Sequence, residues 1–162
     1  MVSPAEIGMG APEKKGALKS IEYEREWGHD AEDLLIEILE ENEYVDRVER
    51  STQEEDVQEK IDMKVWFIGE KEPICIQLFS GNNESIAERK KEQCRDHKVG
   101  LVWDKQGALR RALSRAEESG KEPIEHVPEA DKIELMGLII DTISKNEKQG
   151  FLMRLQGRLG KA

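Results

Sequence analysis

The fold turns on Lys60-Ile61-Asp62-Met63-Lys64-Val65-Trp66 and on Ile74-Cys75-Ile76-Gln77-Leu78-Phe79, with Gln77 15 positions after Asp62 (77 − 62). Both stretches are rich in β-branched and aromatic residues, and Gly69-Glu70-Lys71-Glu72-Pro73 between them is a turn signal, so they read as adjacent strands over Ile61–Ile68 and Ile74–Phe79. Each carries a polar group where a sheet normally buries an apolar one. On the first strand Asp62, Lys64 and Trp66 share one face, opposite Ile61, Met63, Val65 and Phe67. On the second, Cys75, Gln77 and Phe79 lie opposite Ile74, Ile76 and Leu78. Asp62 and Gln77 are oxygen donors of the kind a hard divalent cation prefers. Facing the same side, they meet across the ladder.

Outward from this pair, an amphipathic helix running from about Glu22 or Gly28 to Asn42 precedes the strands. Its apolar residues Ala31, Leu34, Leu35, Ile38 and Leu39 fall at i, i+3, i+4, i+7 and i+8. At about 100° per residue, Glu32 borders that stripe near 100° while Asp33 points away near 200°. Tyr44–Glu49 reads as a short strand and Ser51–Gln58 as a polar connection. After Phe79, Ser80–Asn83 leads into a helix over Glu84–Arg95, and Val99–Trp103 is a fourth strand. A polar helix over Gln106–Ser119 follows, with Arg110, Arg111 and Arg115 at helical spacing. Gly120–Pro128 is a linker, Ala130–Lys145 an amphipathic helix, and Phe151–Leu159 one more short helix. The order is helix, three strands as a meander, helix, strand, then helices. It predicts an α/β domain, a mixed sheet flanked by helices.

The 162 residues suffice for one domain with a real core, and equal shares of hydrophobic and charged residues, 37% each, predict a heavily charged surface. Residues 1–19 read as a flexible N-terminal arm, 20–104 as the core and 105–162 as a C-terminal helical extension. No apolar run approaches the roughly 18 residues of a membrane span, and no secretory signal is visible. Two cysteines, Cys75 and Cys94, without a pairing framework fit a reducing compartment, so a cytoplasmic location is expected. Three scattered histidines give no zinc spacing. There is neither a Gly-rich phosphate loop nor a nucleophile elbow.

The net charge of −10 is uneven: residues 1–85 hold 9 basic and 22 acidic residues, residues 86–162 hold 16 and 13. Such a chain repels nucleic acid at long range but leaves room for a basic face in its second half.

The element order and these residues resemble the PD-(D/E)XK nuclease superfamily, the restriction-endonuclease-like fold, over roughly residues 22–104. Gly28-His29-Asp30-Ala31-Glu32 is similar to its Gly-x-x-x-Glu helix pattern, Asp62 to its metal-binding Asp, and Gln77-Leu78-Phe79 to its (Glu/Gln)-x-Lys motif in the subgroup that uses Gln. The resemblance implies a Mg²⁺-dependent (or Mn²⁺-dependent) DNA endonuclease. Glu32, Asp62 and Gln77 would hold the metal, and Asp62, Gln77 and a displaced lysine would serve catalysis. Phe79 stands where the motif has its lysine. Removing one preorganised electrostatic group costs about 3–4 kcal/mol of transition-state stabilisation. Lys64 is the foremost replacement, with Lys90 and Lys91 as others. Arg89, Lys90, Lys91, Arg110 and Arg111 would contact the DNA backbone.

The alternative is a catalytically inactive member of the same fold, acting as a nucleic-acid or protein binding module. The 130–145 helix would then offer a surface for a homodimer or a protein partner. A third reading is an unrelated α/β domain in which Asp62 is an edge-strand polar residue, Gln77 a satisfied amide, Glu32 part of a solvated face, and the arginines a salt-bridged helix surface.

Overall fold

The computed structural model describes residues 29–52, 54, 60–97 and 99–159. The chain divides into two compact units, 1–30 and 31–162. Of the first, only His29 and Asp30 are described, both helical. The expected arm, the start of the first helix including Gly28, and most of the Ser51–Gln58 connection lie outside the described residues.

The second unit is α/β. Helix α1 covers 31–40. Then come β1 (Val45–Arg50), β2 (Met63–Phe67), β3 (Ile74–Phe79), α2 (Glu84–Asp96), β4 (Gly100–Trp103), α3 (Ala108–Ser119), a 3-10 turn (Pro123–His126), α4 (Glu129–Ile140) and α5 (Lys145–Leu159). The four strands form one open sheet in the order β1-β2-β3-β4. β1 pairs antiparallel with β2 and β2 with β3, whereas β3 pairs parallel with β4. The sheet is therefore mixed, as the meander followed by a helical crossover predicts.

The α1 stripe behaves as its spacing requires: Ala31, Leu34, Leu35, Ile38 and Leu39 are all buried. Asn42 then turns the chain, its Oδ1 accepting the Tyr44 N–H at 2.9 Å and its carbonyl the Val45 N–H. β1 is an outer strand in which only Val45 is buried.

Helices cover both faces of the sheet. On one face Met63, Val65, Phe67 and Ile76 are at most 1% exposed, and Phe151 of α5 meets Phe67 edge-on at 5.0 Å between centroids. Gly100, opposite Ile76, lies on this side, where a Cβ would collide with the Thr142 side chain. On the other face α2 lays Cys94 and Ala87 against the sheet. Ile61, Cys94 and Val99 form a small cluster there with Cys75 and Leu101.

Two features differ from the sequence reading. First, β2 begins at Met63, not Ile61. Lys60 has φ +62°, a left-handed conformation uncommon for a residue with a Cβ. The chain bends there, and Ile61 packs beside Cys94 rather than on the Met63 side. Second, the helix expected over Ala130–Lys145 ends at Ile140, and the short terminal helix begins six residues early (151 − 145), at Lys145. Thr142 Oγ1 donates to the Ile139 carbonyl at 2.7 Å, drawing the backbone out of register. Ser144 and Glu147 then open α5, the Glu147 N–H bonding the Ser144 carbonyl at 3.0 Å and the Ser144 hydroxyl the Glu147 carboxylate at 3.2 Å. The expected linker holds the 3-10 turn, started by Pro123.

Candidate functional site

Asp62 sits in the bend just before β2 and is 8% exposed. Its N–H donates to the Ile76 carbonyl at 2.8 Å, and its Oδ2 accepts the Leu78 N–H at 2.7 Å. The carboxylate thus occupies the ladder position that another β2 carbonyl would fill. Gln77 is also 8% exposed, and its Oε1 accepts the Cys94 thiol at 3.1 Å. The two candidate residues are neighbours at the end of the β2–β3 ladder, and both are buried.

Helix α2 supplies the rest. Ala87, Lys90 and Cys94 fall at i, i+3 and i+7, the spacing of one helix face. Lys90 is half-buried, with its ammonium 5.8 Å from the Phe79 ring centroid. Cys94 is held above the usual thiol range, chiefly by burial and then by the Asp62 carboxylate, while the Lys90 ammonium pulls it down. Asp62, Gln77, Lys90 and Cys94 are therefore one electrostatic group. Arg89 and Lys91 point away and are exposed. Lys64 lies on the sheet between Glu49 of β1 and Cys75 of β3, half-buried.

Glu32 borders the core as the helical wheel predicts, its side chain 18% exposed against 67% for Asp33. It faces Arg50 at the end of β1, with Nη1 3.2 Å from Oε1. The same guanidinium also pairs with Asp33.

A hard dication such as Mg²⁺ takes oxygen ligands, with one or two carboxylates as the charged members. As arranged, each of the three side chains is engaged with a protein group. Asp62 Oδ2 and Gln77 Oε1 each hold a protein donor, and Glu32 is neutralised by Arg50. Among the described residues, no three His, Cys, Asp or Glu side chains converge as a metal site.

A second cluster lies at the carboxyl ends of β3 and β4. Asp104, 3% exposed, accepts the Ala108 and Leu109 N–H groups at 3.0 and 2.9 Å and so fixes the start of α3. Its own N–H donates to the Phe79 carbonyl at 2.9 Å, tying α3 to β3. Between α3 and the loop Ser80–Asn82 runs a groove of about 450 Å³ that is lined by Lys105, Arg110, Arg111 and Arg115. Arg111 is partly engaged, 3.6 Å from Asp131 and bonded to the Gln106 carbonyl. Among the described residues Arg110 and Arg115 have no ion-pair partner. The helical spacing of the arginines was visible in sequence. Their convergence with Lys105 on the loop after β3 was not, nor was the part of Asp104, although an Asp just before a helix is an N-terminal signal.

Compared with protein-family models, curated proteins and solved structures, this chain has no match.

Proposed function

We propose that this chain is a nucleic-acid-binding module on a restriction-endonuclease-like arrangement, one that grips the phosphate backbone without cutting it. The observation that carries this reading is the groove between α3 and Ser80–Asn82, where Lys105, Arg110, Arg111 and Arg115 gather in a chain of net charge −10. Four cations line this groove against the carboxylates of Asp104 and Glu118, and that excess of positive charge suits a polyanion held at short range. Arginine matches phosphate through its planar fork of donors. The order of helix, three-strand meander, helix and parallel strand supports the likeness in architecture. Phe79 in place of the motif's lysine supports binding over hydrolysis.

A second reading, metal-assisted phosphodiester hydrolysis, is favoured by Lys90. It brings an ammonium to within 5.8 Å of the ring that stands in the motif's lysine position, beside Asp62 and Gln77.

One experiment separates the two. Labelled DNA is titrated with the protein at 50 and 200 mM salt, and plasmid is incubated with Mg²⁺ or Mn²⁺. The module reading expects no nicking and affinity that falls on the order of tenfold over that salt range, as for two or three phosphate contacts. Arg110→Ala with Arg115→Ala should weaken binding further. Metal-dependent nicking lost in Asp62→Ala and Lys90→Ala would establish the nuclease, and failure to bind any DNA would sink the module.

A further inference from the structure

Beside the basic groove stands an aromatic pair that the backbone-binding reading does not use. Phe79 and Trp103 are register partners at the ends of the parallel strands β3 and β4, so both project from the same face of the sheet. Their ring centroids are 6.2 Å apart at an interplanar angle of 34°. Both are half-buried, so neither is wholly committed to the core.

Each ring is held and each carries a cation. Trp103 Nε1 donates to the Gly81 carbonyl at 2.8 Å, which fixes the indole. Gly81 also lies so close to Phe79 that a Cβ would come within 2.6 Å of the ring. Lys90 stands 5.8 Å from the Phe79 centroid and Lys105 5.2 Å from that of Trp103. Among the described residues, the ion-pair partner of Lys105 is exposed Glu84 at 3.5 Å, and the lysine side chain is itself exposed, so it can yield to an incoming ring.

The aromatic pair and the groove are contiguous. Gly81 and Lys105 touch the rings and also line the groove. A rigid aromatic surface beside a cationic track is the arrangement that unpaired nucleotides require: bases stack on the rings while phosphates follow the cations. A duplex offers phosphates to such a track but keeps its bases stacked on one another. We infer that the ligand of this face is a single-stranded nucleic acid, with a base stacked at Trp103 and Phe79 and its flanking phosphates on Lys105, Arg110 and Arg115. On this reading Phe79, where the nuclease motif has lysine, is a binding residue. The inference rests on the nucleic-acid-binding proposal above.

The test is fluorescence anisotropy with a labelled 15-nucleotide oligo(dT) and a labelled duplex of equal length, using the full chain. The expected result is binding of the single strand at least about tenfold tighter than the duplex. Trp103→Leu and Phe79→Leu should each weaken oligo(dT) binding about tenfold and duplex binding much less, since one base–aromatic stack is worth about 1–3 kcal/mol. Trp103→Phe, which keeps an aromatic ring, should retain most of the affinity, and circular dichroism checks that each variant is folded. Equal binding of duplex and single strand, or full affinity in both folded leucine variants, overturns the inference. If Arg115→Ala still weakens binding in that case, the groove reading survives alone. If neither DNA binds, both fall.

Discussion

The carboxylate of Asp62 accepts the backbone N–H of Leu78 at 2.7 Å, so a side chain completes the ladder where β2 has not yet begun. Asp62→Ala leaves that N–H without an acceptor in a site 8% exposed. A buried donor stripped of its partner costs roughly 1–3 kcal/mol. Urea denaturation should show a loss of that size for Asp62→Ala. Asp62→Asn, whose amide oxygen can take the same bond, should lose much less. Equal stability of alanine variant and wild type would remove the carboxylate from any structural part.

Cys94 reports on the charges around Gln77. Burial and the Asp62 carboxylate hold its thiol above the usual range, and Lys90 opposes them. Asp62→Asn should therefore move the pH midpoint of Cys94 alkylation downward, and Lys90→Ala should move it upward. Site-resolved mass spectrometry against pH reads both. Shifts of the same sign would contradict the arrangement.

Glu70, in the turn after β2, receives Arg154 through Nε at 3.1 Å and Nη2 at 2.7 Å, with Arg158 Nη2 2.7 Å away. Hydrogen bonding from Arg154 holds its carboxyl below the ordinary range, with Arg158 adding to this against a modest cost of burial. A carboxylate whose folded-state pKa is depressed stabilises the fold above its unfolded pKa and loses that contribution as pH falls through the folded value. Glu70→Gln should lower the melting temperature near neutral pH by about 2–4 °C, the shift that roughly 1 kcal/mol produces at this size. The difference should shrink as pH drops through and below the carboxylate range. A difference independent of pH would show that shape, not charge, matters at Glu70.

The parts of the fold legible in sequence are those written in short-range periodicity. A nearly continuous apolar run between two turn signals marked the limits of β3, and the stripe from Ala31 to Leu39 marked the buried face of α1. Periodicity failed where a hydroxyl competes with the backbone. Ile143 extends the apolar pattern of α4, yet Thr142 bonded to the Ile139 carbonyl ends it, and Ser144 with Glu147 opens α5. That capping pair was readable in the letters and is outweighed only if apolar spacing alone is followed.

At the site, the nearness of Asp62 and Gln77 follows from strand adjacency. Its form does not, because the left-handed Lys60 takes Ile61 and Asp62 out of simple alternation. Lys90 was legible as a helix-face neighbour of Cys94, but its position over Phe79 depends on how α2 crosses the sheet. The meeting of Arg110 and Arg115 with the Ser80–Asn82 loop is wholly nonlocal.

The outer strand β1 has a consequence for self-association. Its exposed positions are Asp46, Arg47, Glu49 and Arg50, charged at each one, with Arg47 folded over the Trp66 ring at 4.0 Å. A second chain adding a strand at this edge would have to strip water from those charges and break the hold of Arg50 on Glu32. Growth of the sheet into an intermolecular one is thereby discouraged along this border.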